Sequence, residues 1–155
     1  MHQKSVIFSD FGVALDCNMQ SHTTTTGIPG PANHRYNAPE VLAEDGARNR
    51  KSDVFSLGCV FVDIINILDP DCIPLINTVG SYSNNAASLC SITASLAAGE
   101  SNQALSTPKT VFQAISGMLQ PDVKQRVSAS HILNLFGTDN SLFCSECLRH
   151  QSEIP

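Results

Sequence analysis

Basic residues are scarce. Nine lysines and arginines stand against fourteen aspartates and glutamates in 155 residues, which leaves a formal charge of −5. The densest basic run is Arg48, Arg50 and Lys51. Nucleic acid and anionic membranes are held by clustered positive charge, so neither is expected as a partner. Long hydrophobic runs are missing too. The strongest, 54–68, is shorter than the roughly 20 residues that cross a bilayer, and it contains Asp63. It is expected inside a protein. Residues 1–4 are polar and the apolar run 6–8 is too short for a secretory signal. The six cysteines lack the spacing of a disulfide framework, so reduced thiols in the cytoplasm or nucleus are expected. No internal repeat appears, and an ordinary apolar content supports one domain over 1–137 with a tail at 138–155.

Periodicity and punctuation give a mainly α chain with one short β element at its N-terminus. Val6-Ile7-Phe8 favours a strand, stopped by Ser9-Asp10. Residues 16–35 have no period, and Gly27-Ile28-Pro29-Gly30-Pro31 would break a helix or strand, so a surface loop is expected. Pro39 suits the first turn of a helix; 40–44 is expected as a short one, ended by Asp45-Gly46. Ser52-Asp53 reads as the N-cap of the longest helix, with Val54, Leu57, Phe61, Ile64, Ile65 and Leu68 as its buried face. Phe55, Cys59, Val60, Val62 and Ile67 occupy the rest, and a helix apolar nearly all round belongs at the centre of a domain. Pro70, Pro74 and Gly80 mark 69–85 as a loop. A helix over 86–98 should bury Leu89, Thr93 and Leu96 and stop at Gly99. The next should bury Val111, Ala114, Ile115, Met118 and Leu119 and stop at Gln120-Pro121. Ser128 should cap a last helix that buries Ala129, Ile132, Leu133 and Phe136, with Gly137 beyond it.

Two motifs bracket the loop. Ser9-Asp10-Phe11-Gly12 sets a carboxylate beside a packing aromatic and a flexible glycine just past an apolar strand, which suits a ligand of phosphate-bound Mg²⁺. Ala38-Pro39-Glu40 marks the return of the chain to the globular body. Their order and separation, with a Thr-rich stretch between them, resemble the activation segment of serine/threonine protein kinases. Ser52-Asp53-Val54-Phe55-Ser56-Leu57-Gly58-Cys59 resembles the start of that family's central helix. The run Met118-Leu119-Gln120-Pro121-Asp122 through Arg126-Val127-Ser128-Ala129 resembles the end of its C-lobe.

The resemblance implies a truncated C-lobe from the Asp-Phe-Gly motif onward. Asp10 would bind Mg²⁺ on ATP, with Phe11 and Gly12 as structural neighbours; the plain alternative is an Asp that caps its own loop. Glu40 and Arg126 would form a partly buried bridge, the alternative being two unrelated surface charges. Asp53 would anchor the catalytic loop through backbone hydrogen bonds. Thr23, Thr24, Thr25 and Thr26 lie where regulatory phosphorylation would create charge for an arginine such as Arg35, or else form an unmodified hydroxyl tract. Asn33 departs from the family, standing where a Thr usually contacts the catalytic base.

Cys144, Cys147 and His150 have zinc-like spacing, but a fourth ligand would have to come from Cys17, Cys90 or His131, so terminal thiols are the stronger reading. His22 and His34 are expected on loops. The sequence contains neither Gly-x-Gly-x-x-Gly nor His-Arg-Asp. Phosphoryl transfer needs the whole cradle at once, so two function classes stay open. One is a kinase fragment that uses ATP and Mg²⁺ only when the remaining parts are supplied. The other is a pseudokinase-like module that binds a protein substrate or a partner kinase without chemistry. Either way, the flank of the 54–68 helix is expected to be exposed and to favour self-association.

Overall fold

A computed structural model describes residues 34–43, 46, 48–70, 72–73, 80–100 and 107–137. Pro39 opens α1 (Pro39–Leu42), a single turn closed when the Ala43 N–H donates to the Pro39 carbonyl. It ends two residues earlier than expected. Helix α2 (Arg50–Leu68) starts earlier than the expected Ser52-Asp53 cap, because Asn49 is the N-cap. Its Oδ1 accepts from Lys51 N at 2.8 Å and Ser52 N at 3.3 Å, while Ser52 Oγ accepts from Asn49 N at 3.1 Å. That reciprocal box satisfies amides that the helix itself leaves unpaired. Ser52 therefore serves as the third helical residue.

The buried face of α2 also differs from expectation. Val54 and Ile65 are buried, but Phe55, Cys59 and Val62 form the stripe that enters the core, and Leu57, Ile64 and Leu68 are exposed. Both stripes recur three and four apart, so period alone could not choose between them. Only one side of this helix is covered among the described residues.

A short 3-10 turn, Tyr82–Asn85, is capped by Ser81 Oγ and leads into α3 (Ala86–Ala98). Ala86, Leu89, Thr93 and Leu96 are buried as the spacing predicts. Thr93 satisfies its hydroxyl by donating to the Leu89 carbonyl at 2.8 Å. Gly99 ends the helix at φ 78°, where Gly99 N–H and Glu100 N–H donate to Leu96 O and Ser95 O. Helix α4 (Lys109–Met118) packs against both α3 and α2, burying Phe112 beside the expected Ala114, Ile115 and Met118. Val111 is only half-buried.

Ser128 caps α5 (Ala129–Phe136), accepting from His131 N–H at 3.2 Å. Only Ile132 of its expected face is buried; Ala129 and Leu133 are exposed. Gly137 has an ordinary right-handed backbone, φ −67°, so it supplies no left-handed cap. The core is one large cluster around Phe55, Phe112 and Leu119, with a smaller one where Ile132 meets Val54, Ala114 and Met118. The expected strand at 6–8 lies outside the described residues.

Candidate functional site

Residues 34–42 lie along α2 from Ser52 to Asp63, and two polar clusters hold them there. Ala38 and Val41 supply the apolar anchor by entering the core. Ser56 Oγ donates to the Tyr36 carbonyl at 2.9 Å, and Ser81 Oγ donates to the His34 carbonyl at 3.0 Å.

The first cluster joins Glu40 to Arg126. Arg126 Nη1 donates to Glu40 Oε1 at 2.6 Å and Nη2 donates to Oε2 at 2.9 Å. The remaining N–H groups of Arg126 reach the carbonyls of Gln120, Lys51 and Pro121. All five donors of the guanidinium are thereby used, and it also lies over the Phe55 ring, 4.9 Å from the centroid. Ser52 Oγ adds a hydrogen bond to Glu40 Oε1 at 2.9 Å. Burial alone would push the Glu40 carboxyl up. The Arg126 guanidinium, the Glu40 amide and the Ser52 hydroxyl outweigh it and hold the carboxyl below its ordinary value. The expected bridge is present, and the two charges are not independent surface groups.

The second cluster was not foreseen. Asp63 Oδ1 accepts from Tyr82 OH at 2.5 Å and from Arg35 Nη2 at 3.3 Å, while Oδ2 accepts from Tyr36 OH at 2.9 Å. Arg35 also donates to Tyr82 OH at 3.2 Å and lies over both phenol rings, 4.8 Å from that of Tyr82 and 5.9 Å from that of Tyr36. The rings are 5.8 Å apart. Burial and the bond to Asp63 push the Tyr82 phenol well above its ordinary value. The bond to Asp63, with burial second, raises Tyr36. Burial, with Asp63 nearby, pushes the Cys59 thiol up to about 12, which leaves it unreactive at neutral pH. The sequence held one signal for this cluster. A carboxylate inside an otherwise apolar helix needs partners, and Asp63 is the one carboxylate between residues 54 and 68.

Asp53 is exposed, and its carboxyl forms no hydrogen bond among the described residues; partial burial raises its pKa. The catalytic loop that Asp53 is expected to anchor is not among the described residues. Asp10, Phe11, Gly12, Thr23, Thr24, Thr25, Thr26 and Asn33 lie outside the described residues, as do Cys17, His22, Cys144, Cys147 and His150. Cys90 is half-buried against Ser116 and Gln120. Among the described residues no three His, Cys, Asp or Glu side chains converge on a metal position. A groove of about 400 Å³ between α3 and α4 is lined by Ala94, Ala97, Ala98, Gln113 and Ser116, none of which carries charge for a phosphate. No helix among the described residues is long and apolar enough to cross a membrane.

The chemistry of both clusters is positional. Neither presents a free base or nucleophile; both fix the backbone of 34–40. A family model described as the protein kinase domain matches residues 1–135. Over 127 residues, 81% of this chain and 10% of the relative, the chain is 28% identical to a protein named probable serine/threonine-protein kinase nek3 from Dictyostelium discoideum. It thus spans about a tenth of that relative's length. No solved structure matches. The matched span includes both Glu40 and Arg126, whose bridge closes the segment that first suggested this relationship, and the chain belongs to the protein kinase family.

Proposed function

We propose that the chain is the substrate-facing C-lobe portion of a serine/threonine protein kinase domain, over 1–137, followed by a tail at 138–155. In company with a nucleotide-gripping lobe and a base-bearing loop, it takes part in phosphoryl transfer from Mg-ATP to a protein hydroxyl. The observation that carries this reading is the hold on Ala38-Pro39-Glu40. A fully buried guanidinium grips Glu40 with both terminal nitrogens and takes three further carbonyls. Phosphoryl transfer depends on positioning and electrostatics, and a misplacement of about 1 Å can cost two orders of magnitude in rate. A rigid seat for the segment that faces substrate is what such a reaction requires.

The described residues do not themselves fit a nucleotide-bound metal. Glu40 is committed to Arg126 and Ser52, and Asp63 to Arg35 and two tyrosines. Metal binding falls to Asp10 by its motif. We place the protein in the cytoplasm or nucleus, where thiols such as Cys59, Cys72 and Cys90 remain reduced.

A second reading is a non-catalytic module that docks a kinase or a substrate protein, favoured by the commitment of Glu40 and Asp63 to partners within the chain, which leaves neither cluster a free base. The test joins the chain in frame to a serine/threonine kinase N-lobe and catalytic loop and follows ADP release against phosphate incorporated into protein. Transfer by the fusion, silence from the 155-residue chain alone, and loss of transfer in Asp10→Asn are expected. An inactive but folded fusion that still binds the partner kinase would support the docking module. Stoichiometric ADP and phosphoprotein from the chain alone would overturn the requirement for added parts.

A further inference from the structure

We infer, resting on the reading of 34–40 as the substrate-facing segment, that Arg35 is a specificity-determining residue. It masks the Asp63 carboxylate, so that proteins whose acceptor hydroxyl is flanked by uncharged side chains are taken as substrates and those with an adjoining arginine are not. The two ion pairs of the site differ in kind. Glu40 and Arg126 meet through two bonds, at 2.6 and 2.9 Å, and Arg126 is fully buried. Arg35 Nη2 lies 3.3 Å from Asp63 Oδ1, and the two side chains are 32% and 28% exposed. Charge-assisted bonds are ordinarily about 2.7–2.9 Å long. The first pair is a fixed part of the fold; the second is a looser contact that decides which cation sits on Asp63.

The two phenols settle what Asp63 would offer without Arg35. Tyr82 OH donates to Oδ1 and Tyr36 OH to Oδ2, so groups that carry no charge orient the carboxylate from both sides. They fix its oxygens and leave its negative charge whole. Arg35 supplies the countercharge. Its guanidinium is itself held in place, donating to Tyr82 OH at 3.2 Å and lying 4.8 and 5.9 Å from the centroids of the Tyr82 and Tyr36 rings. An oriented carboxylate on a long helix is a ready seat for a guanidinium or ammonium. Arg35 comes from the substrate-facing segment and takes that seat within the chain, so a cation brought in by a substrate meets like charge instead of a carboxylate. Glu40, the other carboxylate of the segment, is held by Arg126 and Ser52 and offers no alternative.

The experiment titrates serine peptides of one sequence into the full 155-residue chain and follows the ring signals of Tyr36 and Tyr82 by NMR. The peptides carry arginine or its uncharged isostere citrulline beside the serine. The wild type should show no saturable shift with either. Arg35→Met, whose thioether stem still packs on aromatic rings, should shift with the arginine peptide alone. Arg35→Gln, run beside it so that a loss of fold in one variant does not decide, should do the same. Adding Asp63→Asn should abolish the response. Arg35→Lys keeps a cation beside Asp63 and should behave as the wild type, which separates charge from packing. In the kinase fusion, the wild type should show no preference for arginine over citrulline in kcat/KM, and Arg35→Met should gain about fivefold, the worth of one partly exposed ion pair. A fusion silent toward every peptide would defeat the proposed function and leave the ring signals to decide the role of Arg35. Ring signals that answer the arginine peptide in the wild type and the charge-removing variants alike, or in none of them, would overturn that role. So would an active fusion whose preference ignores Arg35→Met.

Discussion

Arg126 and Glu40 meet across 86 residues of sequence with both guanidinium ends on both carboxylate oxygens, at 2.6 and 2.9 Å. Arg126 is 1% exposed, so its charge has exchanged water for this carboxylate and three carbonyls. Removing one member of a buried pair costs about 3–5 kcal/mol, since the other is left charged without a partner. A domain of this size has about 5–15 kcal/mol in all. Arg126→Met should therefore unfold a large fraction of the protein at 37 °C. Glu40→Gln, which keeps an acceptor for Nη1, should cost less. Urea titrations followed by circular dichroism decide the order. A Glu40→Gln loss as large as that of Arg126→Met would show that the charge, rather than the hydrogen bonds, holds the segment.

The same pair gives the acid limb of the stability curve. The folded carboxyl of Glu40 lies below its unfolded value, with Arg126, the Glu40 amide and Ser52 overcoming burial. Its contribution is complete above the unfolded pKa, about 4.3, and disappears as pH falls through the lower folded value. Asp53 acts in the opposite sense, because burial raises its pKa and its ionised form is the less favoured in the folded state. Melting temperature should fall as pH drops below about 5. The fall should be shallower in Glu40→Gln and steeper in Asp53→Asn. An unchanged acid slope in Glu40→Gln would remove Glu40 as its source.

The chain has two tyrosines and no tryptophan, and both tyrosines give a hydrogen bond to Asp63. Absorbance at alkaline pH therefore reports on this cluster alone. Burial and Asp63 raise Tyr82, and Asp63 with burial raises Tyr36, so neither should ionise near pH 10, the ordinary tyrosine value. Stability present below that pH should be lost as pH rises beyond it. Asp63→Asn removes the negative charge and should bring ionisation to lower pH, with a loss of about 1–3 kcal/mol from the bonds broken. Normal titration of both phenols in the folded wild type would contradict the arrangement.

The sequence made legible those features that depend on neighbours along the chain. Pro39 as a first helical residue, Gly99 as a stop and Leu89, Thr93 and Leu96 as one face are local facts. Glu40 and Arg126 were paired through family likeness, since nothing in their own spacing joins positions 86 apart. The buried face of α2 is not legible from its own sequence because two stripes satisfy one period, and burial is decided by what α4 brings. The Asn49 cap is hidden in the sequence because Ser52 is equally able to cap and in fact answers Asn49 from the third helical position. The Asp63 cluster needs 34–36, α2 and Tyr82 together, a meeting that only the tertiary fold arranges.

Gly58 shows how closely α4 approaches α2. A Cβ there would sit 2.9 Å from Met118 Cβ and 3.2 Å from Leu119 Cδ2. Alanine is the better helix former by about 1 kcal/mol, so on an isolated helix Gly58→Ala would stabilise. Here the obstructing atom is a Cβ fixed to its own backbone, which no rotamer change can move aside, so the two helices must separate. Overpacking of that kind costs about 1–3 kcal/mol, and the net effect should be a loss. Gly99→Ala should also destabilise, by about 1 kcal/mol, for a different reason: its φ of 78° lies where a Cβ meets the following carbonyl. Asparagine tolerates that backbone, so Gly99→Asn should recover part of the loss, whereas no side chain should recover it at Gly58. Chemical denaturation of the three variants separates the two causes. A Gly58→Ala protein as stable as the wild type would mean that α2 and α4 have room to part.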